Sequence, residues 1–188
     1  MDEPLCMWGR LFRGEKSAYS ERRLIRMNNE CYLRPYAPTD LPAVRRLFKT
    51  TVECINCRDY SAEQLAAWIG DDSPLTQQRW QESLCQHRTL VAIKDDQVVG
   101  FADMSDTGYL DRLYVHAAYQ RQGIATALVT ALEEQMVTPR YTTYASITAK
   151  PFFMQMGYHV VRKNTVVRAG INLINFEMVK INSEEKRE

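Results

Sequence analysis

An alternating run, Tyr109-Leu110-Asp111-Arg112-Leu113-Tyr114-Val115, precedes Gln120-Arg121-Gln122-Gly123-Ile124-Ala125, and a helical stripe of Leu128, Val129, Leu132 and Met136 follows. Strand, tight glycine turn and helix in that order constrain this chain more than any other feature. The first N–H groups of a helix have no intrahelical partner and lie at the positive end of its dipole. An anionic phosphate docked there satisfies both conditions. Gly123 and Ala125 lack bulk, so a ligand can approach the backbone closely. Arg121 adds a permanently charged donor. Neither the dinucleotide glycine pattern nor the Walker lysine pattern fits, since a single glycine is present and no lysine follows it.

The rest of the chain reads as a mixed α/β domain. Residues 30–35 form a first strand that ends at a proline. Asp40 reads as an N-cap, with Leu41, Val44, Leu47 and Phe48 on one helical face. Ser61-Ala62-Glu63-Gln64 is a capping box opening a helix with Leu65, Trp68 and Ile69 inward. A third helix carries Trp80 and Leu84. Residues 89–94 and 97–103 are strands joined at Asp95-Asp96, a hairpin signal. Pro139 ends the long helix, and residues 141–146 form the fifth strand. A short helix spans 149–156, closed by Gly157. Residues 159–168 and 172–180 alternate as a final hairpin. Antiparallel strands, a strand–helix–strand crossover and a hairpin together predict a mostly antiparallel twisted sheet with helices on both faces.

Composition sets the limits. With 188 residues, 45% of them hydrophobic, the chain can bury one sizeable core. Residues 1–26 mix charges without an apolar period, so they read as a tail outside the fold, and 27–188 as one domain. A net charge of +1 disfavours a nucleic-acid partner, which needs a basic face. No apolar run has the length of a membrane helix, so no membrane partner is expected. The five cysteines, Cys6, Cys31, Cys54, Cys57 and Cys85, are odd in number and follow no secretory signal. A disulfide framework is therefore not expected, and a cytoplasmic, reducing location is. Cys54-Ile55-Asn56-Cys57 has the spacing of a zinc or redox pair. It lacks a second ligand pair, and His87, His116 and His159 stand apart, so no metal is expected and incidental thiols are favoured.

Residues 120–125 resemble the Gln/Arg-x-x-Gly-x-Gly/Ala signature of the GNAT superfamily, the acyl-CoA-dependent N-acetyltransferases. Residues 145–158 add a strand end, a short helix and a closing Gly-aromatic pair in that superfamily's order. The resemblance covers about residues 31–180. Tyr60-Ser61-Ala62-Glu63-Gln64-Leu65-Ala66-Ala67-Trp68 and Ala149-Lys150-Pro151-Phe152-Phe153 are also similar to a bacterial GNAT subgroup of unassigned substrate.

The resemblance implies a GNAT fold in which the fourth and fifth predicted strands splay apart. It implies acetyl-CoA as co-substrate, with its diphosphate on Gln120, Arg121, Gln122, Gly123, Ile124 and Ala125. The backbone of Leu113, Tyr114 and Val115 would pair with the pantetheine arm as an added strand does. The N–H near Leu113 would polarise the thioester carbonyl. The reaction implied is direct attack of a primary amine, on a small molecule or a peptide, with transfer of the acetyl group.

Period-two alternation puts Tyr109, Asp111 and Leu113 on one face, and Asp111 is its only carboxylate. Asp111 is therefore the candidate base and Tyr109 a holder of water or substrate. Asp111 also reads as an ion-pair partner of Arg112 or Arg162. The superfamily's Asn-x-x-Ala-x-x-x-Tyr falls on Ser146, Ala149 and Phe153. Ser146 can still hydrogen-bond the coenzyme arm, but Phe153 has no proton to give. Tyr158 or Tyr144 would supply the general acid, or the thiolate would leave unaided. Tyr60, Trp68 and Trp80 would wall the acceptor site, with core packing the alternative for the tryptophans. Asn175 interrupts the last apolar strand and either faces that pocket or is an edge polar residue. The final hairpin is a candidate homodimer surface. A non-catalytic acyl-CoA-binding module is the alternative function, and a redox protein using Cys54 and Cys57 a third.

Overall fold

The computed structural model describes residues 31–182 and the backbone of 25–28. One eight-stranded sheet runs through the molecule in the order β1-β2-β3-β4-β5-β6-β8-β7. The strands are β1 (Ile25–Asn28), β2 (Cys31–Pro35), β3 (Arg88–Lys94), β4 (Gln97–Met104), β5 (Tyr109–Val115), β6 (Arg140–Ser146), β7 (His159–Arg168) and β8 (Ile171–Ile181). Only β5 and β6 pair in parallel; every other neighbouring pair is antiparallel. The helices are α1 (Leu41–Ile55), α2 (Ala62–Ile69), α3 (Pro74–Gln86), α4 (Ile124–Glu133) and α5 (Lys150–Gln155).

Alternation along the central strands feeds two cores. Leu90, Ala92, Val99, Ala102 and Met104 pack with Ile124, Leu128, Val129 and Leu132 of α4. Val91, Ile93 and Phe101 pack on the other face with Val44, Leu47, Phe48 and Val52 of α1, Leu65 of α2 and Leu84 of α3. This is the two-faced mixed sheet that the sequence pattern predicts. The capping box of α2 forms in both directions, Ser61 accepting from Gln64 N–H and Gln64 from Ser61 N–H. Gly100 is the contact point for α4: a Cβ there would lie 3.0 Å from Ile124 Cγ2 and 3.3 Å from the Tyr114 carbonyl oxygen. Its missing side chain lets the first turn of α4 settle close on β4.

Several expectations need adjustment. β1 was not anticipated, and it takes up residues 25 and 26 of the segment assigned to the tail. Residues 1–24 lie outside the described residues. Asp40 stands at the N-cap position of α1 but makes no capping bond. Its carboxylate instead accepts from both Arg34 guanidinium nitrogens, at 2.7 and 2.8 Å, and from Ala37 N–H at 2.8 Å. Cys31, Cys54 and Cys57 are free thiols, whereas Cys85 is disulfide-bonded, contrary to the reading from cysteine count.

Between the α3 side of the sheet and β5 runs a polar seam. Asp103 on β4 is fully buried. Its carboxylate accepts from Arg112 Nε at 2.9 Å and Nη2 at 3.0 Å, and meets His87 Nδ1 at 2.6 Å. Arg112 also donates to the Ser83 hydroxyl, ion-pairs with Asp111 at 3.1 Å and lies over the Trp80 ring at 4.8 Å. A buried charge is tolerable only when paired and hydrogen-bonded, and here both members are. Asp103→Ala would strand the buried guanidinium. We expect a loss of about 3–5 kcal/mol in urea unfolding, the range for breaking a buried pair. Asp103→Asn, which keeps an acceptor oxygen, should lose less.

Candidate active site

β5 and β6 are hydrogen-bonded neighbours for only two residue pairs, Tyr109 with Thr142 and Leu110 with Thr143. At the last of these pairs the Thr143 hydroxyl also donates to the Leu110 carbonyl, at 2.9 Å. β6 then continues against β8 as far as Ser146 opposite Asn175. The outer edge of β5 beyond Leu110 faces a cleft of about 790 Å³. Register identifies the exposed groups. His116 N–H donates to Val99 O, and Tyr114 lies opposite Phe101. Antiparallel alternation thus turns the backbone of Tyr114 toward β4 and that of Leu113 and Val115 toward the cleft. Three consecutive backbone contacts were expected there; two are geometrically available, and Tyr114 contributes its side chain instead.

The cleft floor is the start of α4. Gly123 sits in the left-handed region at φ 79, and no side chain caps the helix. Its first N–H groups are therefore open to a ligand. Gln120, Arg121, Gly123, Ile124 and Ala125 all line the cleft. Arg121 itself has φ 59, so two kinks within three residues shape the turn. Gln120 also ties the turn to the strand end, its side-chain amide donating to the Val115 carbonyl at 2.6 Å. The Gln122 side chain turns back to the Ala118 carbonyl at 3.3 Å and lies off the cleft wall.

On the opposite wall, Ser146 Oγ accepts from Ala149 N–H at 3.0 Å and so starts α5, leaving its own proton free to donate. Phe153 lines the cleft, with its ring edge-on to Tyr158 at 5.2 Å. Tyr158 is not at the cleft. Its hydroxyl donates to buried Glu133 at 2.8 Å, and burial together with that carboxylate pushes its pKa far above the ordinary range. Tyr144 does border the cleft and is 46% exposed. Of the two phenols considered as proton donors, only Tyr144 is in position.

A second cavity, of about 840 Å³, meets the first at a neck formed by Trp68, Asp111, Tyr114, Tyr144 and Ser146. Tyr60, Trp68 and Trp80 all line it, as expected of an acceptor wall. Tyr60 also braces the structure, donating to Ile174 O at 2.6 Å and accepting from Ile147 N–H at 2.9 Å. Asn175 faces this cavity too.

Asp111 reaches the neck through a β-bulge. Asp103 pairs with Arg112 and Met104 with Leu110, leaving Asp111 as the extra residue. The bulge breaks the two-residue period, so Leu113 packs with the α4-side core while Tyr109 and Asp111 line the second cavity. The expected common face of all three residues holds only for Tyr109 and Asp111. The Tyr109 hydroxyl donates to Asp111 Oδ1 at 3.3 Å, and Arg112 holds Oδ2. Burial first, and then the Asp111 charge, push the Tyr109 pKa well up, so it remains a neutral donor. Both readings of Asp111 therefore coexist: it lines the neck and is ion-paired to Arg112. Arg162 pairs elsewhere, with Glu177 at 2.6 Å.

The sequence offers Arg112 as an ion-pair partner of Asp111 but gives His87 and Asp103 no place in the site. The available signal was an aspartate near the end of an otherwise apolar strand. Ligand atoms of His87, Asp103 and Asp111 lie within 4.8 Å of one another. Arg112 ion-pairs with both carboxylates. Cys54 and Cys57 are exposed and lie outside both cavities, the Cys57 thiol donating to the Cys54 carbonyl at 3.4 Å. Among the described residues no helix is long and apolar enough to cross a membrane.

Known proteins share this fold. The acetyltransferase (GNAT) domain model matches residues 56–180. The uncharacterized N-acetyltransferase YafP of Escherichia coli K12 is 35% identical over 150 residues, covering 80% of this chain and 95% of YafP. A GCN5-related N-acetyltransferase from Rhodopseudomonas palustris superposes with a TM-score of 0.75 at 33% identity, over 80% of this chain and 94% of its own. The PaiA N-acetyltransferase from Thermoplasma acidophilum, solved in complex with coenzyme A, shares the fold at a TM-score of 0.64 and 16% identity, over 81% and 99% of the two chains. YncA of Salmonella typhimurium, a putative acetyltransferase solved with its cofactor acetyl-CoA, does so at 0.62 and 17%, over 83% and 96%. The family model spans well over half of this chain and the YafP relative aligns over nearly its whole length, so this chain belongs to the GNAT acetyltransferases, a transferase by family.

Proposed function

We propose that the protein transfers acetyl from acetyl-CoA to a primary amine by direct attack. The observation that carries this reading is the unpaired edge of β5, which ends over an uncapped helix start and opens at Asp111 into a second cavity. Two structures sharing the fold hold coenzyme A or acetyl-CoA, which supports the same ligand here. The start of α4 would take the diphosphate, with Arg121 beside it. The backbone of Leu113 and the N–H of Val115 would bond the pantetheine amides as a missing strand would. The thioester then lies at the neck.

The Leu113 N–H would donate to the thioester oxygen as negative charge develops on it. The amine enters from the aromatic-walled cavity. Its nitrogen forms the new bond to the acetyl carbon while the carbon–sulfur bond breaks. Asp111 takes the proton lost from nitrogen, directly or through one water. The departing thiolate takes a proton from Tyr144 or from solvent. Tyr109 and Arg112 hold the Asp111 carboxylate at the neck in one orientation.

Acetyl-CoA should raise the melting temperature by mass action. In Gly123→Val that shift should disappear, because a β-branched residue is strained at φ 79 and intrudes where phosphate would sit. The same strain should lower apo stability by about 1–2 kcal/mol. A full ligand-induced shift in this variant would refute the placement of the phosphates.

Asp111→Asn keeps the shape and removes the proton acceptor. Its kcat should fall by roughly 10²–10⁴-fold, the usual cost of losing a general base, with acetyl-CoA affinity unchanged. Undiminished kcat would remove Asp111 from the proton path. Phe153→Tyr, beside the proposed thiol exit, should be neutral or mildly activating.

A further inference from the structure

The second cavity has features that acetyl transfer to a simple amine does not call for. Asp111 stands at the neck, and Asn175, opposite Ser146, is among the residues lining the cavity. The Asn175 side-chain oxygen itself is buried in the protein, and so is the amide nitrogen of Asn164 on the paired strand, neither with a partner among the described residues. The Asp111 carboxylate is therefore the acceptor presented to an arriving amine nitrogen.

The far end of the cavity is cationic. Arg168 closes β7, immediately before a tight turn with Ala169 at φ 49 and Gly170 at φ 78. Arg79 of α3 lines the same cavity. Neither guanidinium has an ion pair among the described residues. Arg168 is exposed and lines the rim of the cavity. The carboxylate at this end, Asp71, is already engaged by Ser73 and Thr76. Between the two ends the walls are apolar, with Trp68, Val166 and Leu173. From Asn175 to Ile171, the partner of Arg168, β8 spans four residue steps, about 13 Å at about 3.3 Å per residue. The arginine side chain takes up part of that span.

We infer that the acceptor is an elongated primary amine carrying an anionic group at its far end, the nitrogen received by Asp111 and the anion by Arg168. This rests on the transfer reading above and gives it a substrate class: an apolar chain with an amine at one end and a carboxylate or phosphate at the other.

The test is thiol release from saturating acetyl-CoA by the full chain. The panel comprises ω-amino carboxylates, ω-aminoalkyl phosphates, neutral alkylamines and α,ω-diamines of matched lengths. Anionic acceptors should exceed neutral ones in kcat/KM, and the carboxylate and phosphate series tell which anion is used. Arg168→Glu should lower kcat/KM for anionic acceptors by roughly ten- to a hundredfold, as for a lost charge-assisted hydrogen bond, and favour diamines. Its acetyl-CoA-induced melting shift should stay, showing an intact fold and cofactor side. Equal use of neutral and anionic amines, or an unaltered preference in Arg168→Glu, overturns the inference while leaving acetyl transfer standing. Acetyl-CoA binding with no thiol release by any amine overturns the transfer reading and this inference with it.

Discussion

The structure depends on two parallel strands that begin paired and then part. β5 and β6 are joined by the α4 crossover and packed into one sheet, so continued pairing would be the default. A local device coincides with the parting: the bulge at Asp111 re-aims β5 as it leaves its neighbour. The result is a row of backbone donors and acceptors inside the sheet with no strand beside them. Such groups cost free energy unless water or a ligand satisfies them. The gap therefore favours an extended, amide-bearing ligand, and it lies directly above a helix start that favours an anion.

The bulge solves one problem and creates another. It brings Asp111 to the neck between the cavities, where an unsupported carboxylate could adopt several rotamers. Arg112 and Tyr109 remove that freedom, each holding one carboxylate oxygen. Arg112 in turn is held by Asp103, Ser83 and the face of Trp80. A buried ion pair is seldom a net gain in stability over apolar packing. What this one provides is orientation, since a guanidinium fixed at three points presents its donors in one direction. The charge seam links α3, β4 and β5, so the position of a single carboxylate depends on three elements distant in sequence.

Legibility in the sequence followed the range of the interaction. The phosphate turn, the α2 capping box and the β3–β4 and β7–β8 hairpins all rest on neighbours within a few residues, and each could be read directly. The two-faced sheet followed from alternation in strands 88–104, which is also local. Asp40 was misread because its competing partner, Arg34, lies across a turn. The bulge was invisible because it exists only in the register between two strands, and it moved Leu113 off the face assigned to it. Asp103 and Arg112 stand on adjacent strands and His87 just past the end of α3; nothing in their spacing joins them. Strand β1 is four residues long and has no pattern of its own, only an edge to pair with.

The same distinction applies to Asn175. In sequence it is a polar break in an apolar strand, as consistent with an edge residue as with a ligand contact. Its place opposite both Ser146 and Asn164 puts it in the interior of the sheet, flanked by β6 and β7. Its side-chain oxygen and the Asn164 amide nitrogen opposite are both buried without a partner among the described residues, so the pair belongs to the interior of the β7–β8 ladder and not to the cavity surface. Arg79 and Arg168 present the converse case, cations lining the cavity with no ion pair among the described residues. A carboxylate at the neck, cations on the lining and apolar walls between them define a ligand by its complement: an amine at the neck, apolar along its length, negative at its far end.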